Sequence, residues 1–137
     1  AKDAKSPPRM VDEDRIAKQV LHAAIKVHKA LGPGLLESAY VHCLLHELRT
    51  AGLSVLHQAQ LPLTYEGVLL DAGYRLDIWV EQKVVVEVKA IDVLHPIHTA
   101  QLLTYLRLTN NRLGLLINFN EVLLKDGFRR IANGMPQ

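Results

Sequence analysis

Residues 74–90 constrain this chain more than any other stretch, because their pattern admits a β-hairpin and little else. Tyr74-Arg75-Leu76-Asp77-Ile78-Trp79-Val80 alternates at the period of a strand, with Tyr74, Leu76, Ile78 and Val80 on one face. Glu81-Gln82-Lys83 interrupts the pattern. Val84-Val85-Val86-Glu87-Val88-Lys89-Ala90 then follows as a second strand, with Val84, Val86, Val88 and Ala90 on one face and Val85, Glu87 and Lys89 on the other. A three-residue loop centred on Gln82 pairs position 77 with 87 and 75 with 89, and sets Asp77, Glu87 and Lys89 on one side of the sheet.

Directly opposed residues on a sheet face have Cβ atoms about 4.5–5.5 Å apart, and like charges placed there are destabilising. Two ionised carboxylates at that spacing are hard to justify unless a cation lies between them. Oxygen-rich clusters suit Mg²⁺ or Mn²⁺, which keep some water and take the rest of their shell from substrate phosphate. Lys89, two residues beyond Glu87 on the same face, can orient or help deprotonate a bound water, which outlines a phosphodiester-hydrolysing site. The same residues also fit a plainer description, the solvated face of an amphipathic hairpin with Lys89 paired to a carboxylate for at most ~1 kcal/mol. Trp79 and the near-continuous valine run speak for a covered face instead.

A chain of 137 residues is expected to form one domain with a sufficient core, here residues 11–137, preceded by a polar, proline-bearing flexible tail over residues 1–10. Its 49% apolar and 22% charged residues are ordinary globular composition. A net charge of +2 permits a polyanionic partner without requiring one. The single cysteine, Cys43, excludes an internal disulfide framework and fits a reducing compartment; it falls in an apolar helical pattern and reads as a structural thiol. No apolar run approaches the ~18 residues of a membrane span and no secretory leader pattern opens the chain, so a cytoplasmic protein without a membrane partner is expected.

The first helix is expected through Leu31, capped by Asp12 or Asp14, with Ile16, Val20, Ala23, Ala24, Val27 and Leu31 as its stripe and Gly32-Pro33-Gly34 ending it. A second runs from about Leu35 to Thr50 with Leu36, Tyr40, Cys43, Leu44 and Leu48 inward. Short strands near 53–58 and 61–65 complete an antiparallel meander with the hairpin. A helix over about Pro96–Thr109 then leads to the apolar strand 113–119, a βαβ crossover with parallel strands, and an edge strand follows near 128–131. The architecture is α/β.

Two further groups converge on the hairpin. Gln101 and Tyr105 lie four apart on one face of the crossover helix, with His98 three residues before Gln101, and that helix packs back beside strand 84–90. Incidental polar positions on a helix would look the same. Glu37 occupies the first turn of the second helix, three residues before Tyr40, where a carboxylate can also serve only as a partner of the helix dipole.

Taken together these residues resemble the PD-(D/E)XK nuclease superfamily, and more narrowly the small bacterial proteins named for a GxxExxY motif. That motif stands here as Gly34-Leu35-Leu36-Glu37-Ser38-Ala39-Tyr40, and the nuclease signature as Asp77, Glu87-Val88-Lys89 and Gln101-x-x-x-Tyr105. The segments Tyr74–Asp77, Gln101–Leu106, Gly114–Phe119 and Gly127–Ile131 are similar to the narrower family as well, so the likeness covers about residues 15–132. Leu76 stands where the superfamily's name has proline.

The resemblance implies a restriction-endonuclease-like αβββαβ core, a mixed sheet flanked by helices. It implies a divalent metal, Mg²⁺ or Mn²⁺, held by Asp77, Glu87 and the Val88 carbonyl, with Glu37 a further ligand or one acting through water. Lys89 would position the attacking water, while Gln101 and Tyr105 would steady the site or contact the substrate backbone. The implied partner is nucleic acid, DNA ahead of RNA, and the aliphatic-rich composition allows a homodimer.

Two other readings stay open. One is a non-catalytic nucleic-acid-binding or assembly module on the same fold, with grip supplied by Arg75, Arg107, Arg112, Lys125, Arg129 and Arg130. The other is zinc chemistry at His42 and His46, spaced i, i+4, for which no third ligand is in evident reach; His95 and His98 suit the flank of the carboxylate site better.

Overall fold

A computed structural model describes residues 10–61, 63–71 and 73–134. The tail expected over residues 1–10 lies, Met10 apart, outside the described residues. In order, α1 (Val11–Leu31), α2 (Glu37–Thr50), β1 (Val55–Gln60), β2 (Leu63–Tyr65), β3 (Val68–Leu70), β4 (Arg75–Val80), β5 (Val84–Lys89), α3 (Pro96–Thr109), β6 (Leu113–Asn118) and β7 (Phe128–Ala132) follow one another. Five strands form a mixed sheet in the order β1-β4-β5-β6-β7, with β5 and β6 parallel and the other neighbours antiparallel. Removing one insertion leaves the expected αβββαβ sequence of elements.

That insertion is a correction. The strand expected near 61–65 does not join the meander: β2 and β3 pair only with each other, as a separate two-stranded sheet, and β1 pairs directly with β4. The hairpin exposes Tyr65, Val68 and Leu69.

Helices cover both faces of the sheet. α1 and α2 pack Ile16, Val20, Tyr40, Leu44 and Leu48 against Ile78, Val80, Val86, Val88, Leu115 and Ile117. α3 packs Leu102, Tyr105 and Leu106 against Leu76, Val85 and Leu116 on the other side. β5 and β6 are therefore buried on both faces, which is why they read as continuous valine and leucine runs rather than alternating ones. Leu36, expected inward, is 79% exposed, because α2 begins at Glu37 and Leu36 serves as its extended N-cap. Among the described residues no helix is long and apolar enough to cross a membrane.

Neither Asp12 nor Asp14 caps α1; Met10 holds the N-cap without a side-chain bond. The acidic first turn instead fastens the helix to the sheet. Asp12 pairs with Lys83 at 2.8 Å in the β4–β5 turn, Asp14 pairs with Arg130 on β7, and buried Glu13 takes Arg112 Nε and Nη2 at 3.0–3.1 Å.

At the far end of β6 the fit is tight. The 3₁₀ turn Leu124–Gly127 approaches so closely that a Cβ on Gly127 would lie 2.2 Å from the Asn118 carbonyl oxygen, a backbone atom. Gly127→Ala is expected to cost about 2–3 kcal/mol through the forced backbone shift, read as a lower urea midpoint at unchanged slope. An unchanged midpoint would show that the turn yields freely.

Candidate active site

The site is built where the sheet's backbone pairing lapses. The β4–β5 ladder runs from Val80↔Val84 to Ile78↔Val86 and stops one step short of 77–87, in the expected register. On the other side β1 pairs His57 with Ile78 and Ala59 with Leu76 but leaves out the step between, where Gln58 takes a left-handed φ of 57°. Side chains bridge the gap. The Asp77 amide donates to Glu87 Oε2 at 3.0 Å, and the Val88 amide donates to Asp77 Oδ2 at 2.9 Å. This lapse also switches the strand's faces, correcting the expected alternation: Leu76 packs in the α3 layer, whereas Ile78 and Val80 pack in the α1–α2 layer.

Glu87 is only 5% exposed, so the solvated-face description fails for it. Burial, then the charge of Asp77, pushes its carboxyl up to about 8, while the Asp77 amide and Lys89 pull the other way. Asp77 is also raised, chiefly by burial, against the Val88 amide, Lys89 and His57. Each carboxylate commits one oxygen to backbone. Among the described residues the other oxygens, Asp77 Oδ1 and Glu87 Oε1, find no hydrogen-bond partner, and neither is sealed from solvent.

Glu37 arrives from the opposite end of the chain. Partial burial and the charge of Asp77 raise its carboxyl, and Lys89 lowers it, so all three carboxylates and the ammonium share one field. Its neighbours in sequence explain how it is held. Gly34 takes φ +98°, open to glycine and strained for other residues, in the turn before α2. Fully buried Tyr40 donates its hydroxyl proton to the Gly32 carbonyl at 2.6 Å and accepts the Leu35 amide at 3.1 Å, while its ring stacks on Phe119 with centroids 4.6 Å apart. Glycine bends the loop, tyrosine ties it down, and the glutamate between them starts the helix. Tyr40→Phe leaves the Leu35 amide and Gly32 carbonyl unpaired and is expected to cost about 1–3 kcal/mol, measurable by urea unfolding. A neutral result would mean that water replaces the hydroxyl.

Tyr105 stands on α3 with its ring in the core; burial, then Glu87, Tyr74 and Asp77, raise its phenol, which places the hydroxyl in the same field. Gln101, one turn earlier, is exposed and lines a cavity with Tyr105 and Tyr74. His98 lies at the start of α3, its ring accepting the His95 amide, and burial and Lys89 lower its basicity.

Three residues near the site have no local signal in the sequence. His57 on β1 faces Asp77 and meets His42 edge-on at 5.5 Å. Buried Asn118 holds the segment after Lys89, with Nδ2 donating to the Ile91 carbonyl and Oδ1 accepting the Ile91 amide. Phe119 donates its amide to the Lys89 carbonyl at 2.9 Å.

Whether a divalent ion suits these groups is a question of donor chemistry. Among the described residues no three His, Cys, Asp or Glu side chains converge as a metal cluster, the His42–His46 pair included. Two carboxyl groups both raised by burial, with the charge of Asp77 raising Glu87 further and each with one oxygen open, do fit a hard cation such as Mg²⁺, which usually takes one or two carboxylates and keeps its water.

A family model described as the PD-(D/E)XK nuclease superfamily matches residues 14–131. No curated protein and no solved structure matches the chain. The match runs from the first turn of α1 into β7 and encloses the whole carboxylate cluster on a mixed five-stranded α/β sheet, the restriction-endonuclease-like arrangement. This chain belongs to the PD-(D/E)XK nuclease superfamily.

Proposed function

We propose that the protein is a metal-dependent nuclease that hydrolyses phosphodiester bonds in DNA, acting within the GxxExxY group of the superfamily. One observation carries the reading: Asp77 and buried Glu87 interrupt the sheet ladder to face each other, with Lys89 alongside. A folded protein keeps two mutually repelling carboxylates in such a place for a purpose beyond stability.

Asp77 and Glu87, with the Val88 carbonyl, would hold Mg²⁺ or Mn²⁺, and Glu37 would act on the same ion through water. When bound, the ion acidifies a water and offsets charge on the phosphoryl oxygens. Lys89 orients the attacking water and, as a fixed cation, favours the charge that grows on those oxygens. Tyr105 joins the field of the cluster from α3, and it and Gln101, one turn earlier, would steady the site or contact the substrate.

The test is a cleavage panel over single- and double-stranded DNA and RNA with Mg²⁺ or Mn²⁺, beside calorimetry of Mn²⁺ binding. Hydrolysis of at least one substrate is expected, with Mn²⁺ binding that Asp77→Ala and Glu87→Ala abolish. Mn²⁺ binding without turnover on any substrate would instead favour the non-catalytic binding module.

A further inference from the structure

A cavity of about 280 Å³ opens between α3 and the neck of the β2–β3 hairpin. Leu61, Leu63 and Leu108 give it apolar walls, and Tyr74, Tyr105 and Gln101 supply its polar groups. The Leu61 amide donates to the Tyr74 carbonyl at 3.0 Å, which ties the two sides of the hairpin neck together.

We propose that this cavity is a nucleobase pocket, so that the substrate is nucleic acid presenting an unpaired, single-stranded nucleotide. The inference rests on the nuclease reading above and narrows its substrate. Four observations converge on it. The volume lies just under the ~300–1,000 Å³ of ordinary ligand sites, enough for one flat ring system and not for a stacked pair. The walls combine aliphatic groups with two tyrosine rings, and aromatic rings accept the π-face of any base.

Among the described residues, three polar groups there have no hydrogen-bond partner: the Gln101 amide and the phenol oxygens of Tyr74 and Tyr105, although Tyr105 as a residue is only 7% exposed. They offer donors and acceptors in one recess, as the edge of a base requires. Finally, Tyr105 lines this cavity from α3 and also lies in the field of Glu87 and Asp77, so one residue is shared between the recess and the carboxylates. A base within a continuous duplex is stacked on both sides and cannot enter a recess without being turned out.

Binding measured without divalent ion separates this inference from catalysis. Fluorescence anisotropy of wild-type protein in EDTA, with a labelled DNA strand and with its blunt duplex at equal salt, is expected to show the strand bound at least about tenfold more tightly. Tyr74→Ala should weaken the strand about tenfold and leave the duplex unchanged, and Leu108→Trp, which fills the cavity from α3, should do the same. Should Tyr74→Ala fail to fold by circular dichroism, Leu108→Trp carries the test.

Equal binding of the two forms, no binding of either, or variants that weaken both alike would overturn the pocket. Selective strand binding with no cleavage by Mn²⁺-loaded protein would remove the nuclease reading and leave the pocket standing. Equal binding and equal cleavage of strand and duplex would do the reverse.

Discussion

Lys89→Ala is expected to lower metal-dependent cleavage by about a hundred- to a thousandfold, the scale on which loss of one preorganised electrostatic group acts. The fold should survive. Lys89 anchors through its backbone, whose carbonyl accepts the Phe119 amide, and among the described residues its ammonium forms no ion pair or hydrogen bond. Removing the side chain therefore breaks no hydrogen bond, and takes from buried Glu87 only a charge that opposes its raised carboxyl. Calorimetry then divides the roles: Lys89→Ala should still bind Mn²⁺, whereas Asp77→Ala should bind none. If Lys89→Ala cuts as fast as wild type, the ammonium has no part in the chemistry.

The second large effect is on stability and runs against the usual direction for a buried-site mutation. Below about pH 4.5 Glu87 is protonated in folded and unfolded chains alike, and its contribution to stability is fully present. Between the ordinary glutamate value and about 8 the unfolded chain releases the proton while the folded one retains it, so metal-free stability falls as pH rises through that window. Above about 8 the loss is complete.

Glu87→Gln imitates the protonated acid, and its amide oxygen can still accept the Asp77 amide. In EDTA the variant should match wild type near pH 4.5 and exceed it by on the order of 3 kcal/mol at pH 9, read from urea unfolding. Mn²⁺ should then stabilise wild type and leave the variant unmoved. A difference that does not change with pH would mean that Glu87 is ionised throughout.

What could be read from the sequence followed from local punctuation and burial. Pro96 at the start and Asn110, left-handed at φ 56°, bracket α3 with the expected bounds. The valine run marked β5 as covered, and with it Glu87. The turn also centres on Gln82 as expected, although Glu81 and Gln82 both adopt positive φ; the Glu81 amide and carboxylate compensate by bonding Ser54.

The failures share one cause, which is that local pattern says nothing about distant partners. Leu63-Thr64-Tyr65 has the composition of a strand wherever it lies, and only the direct β1–β4 pairing excludes it from the main sheet. The face switch at Asp77 arises from bonds to Glu87 and Val88, ten and eleven residues away, which alternation cannot register. His57 reaches Asp77 only through the β1–β4 register. Asp12 and Asp14 looked like caps because nothing nearby revealed Lys83 and Arg130 as their partners.

The two residues closing β6 serve as a common datum for groups that the chain supplies far apart. Phe119 carries the Tyr40 ring that secures the approach to Glu37, and its amide donates to the Lys89 carbonyl, while Asn118 grips Ile91 just beyond. A displacement of that strand end would carry the acid and the ammonium along together, preserving their spacing even as both shifted. The β2–β3 insertion lies outside this linkage, so a change in its length or tip would leave the carboxylates and the ammonium in the same mutual geometry.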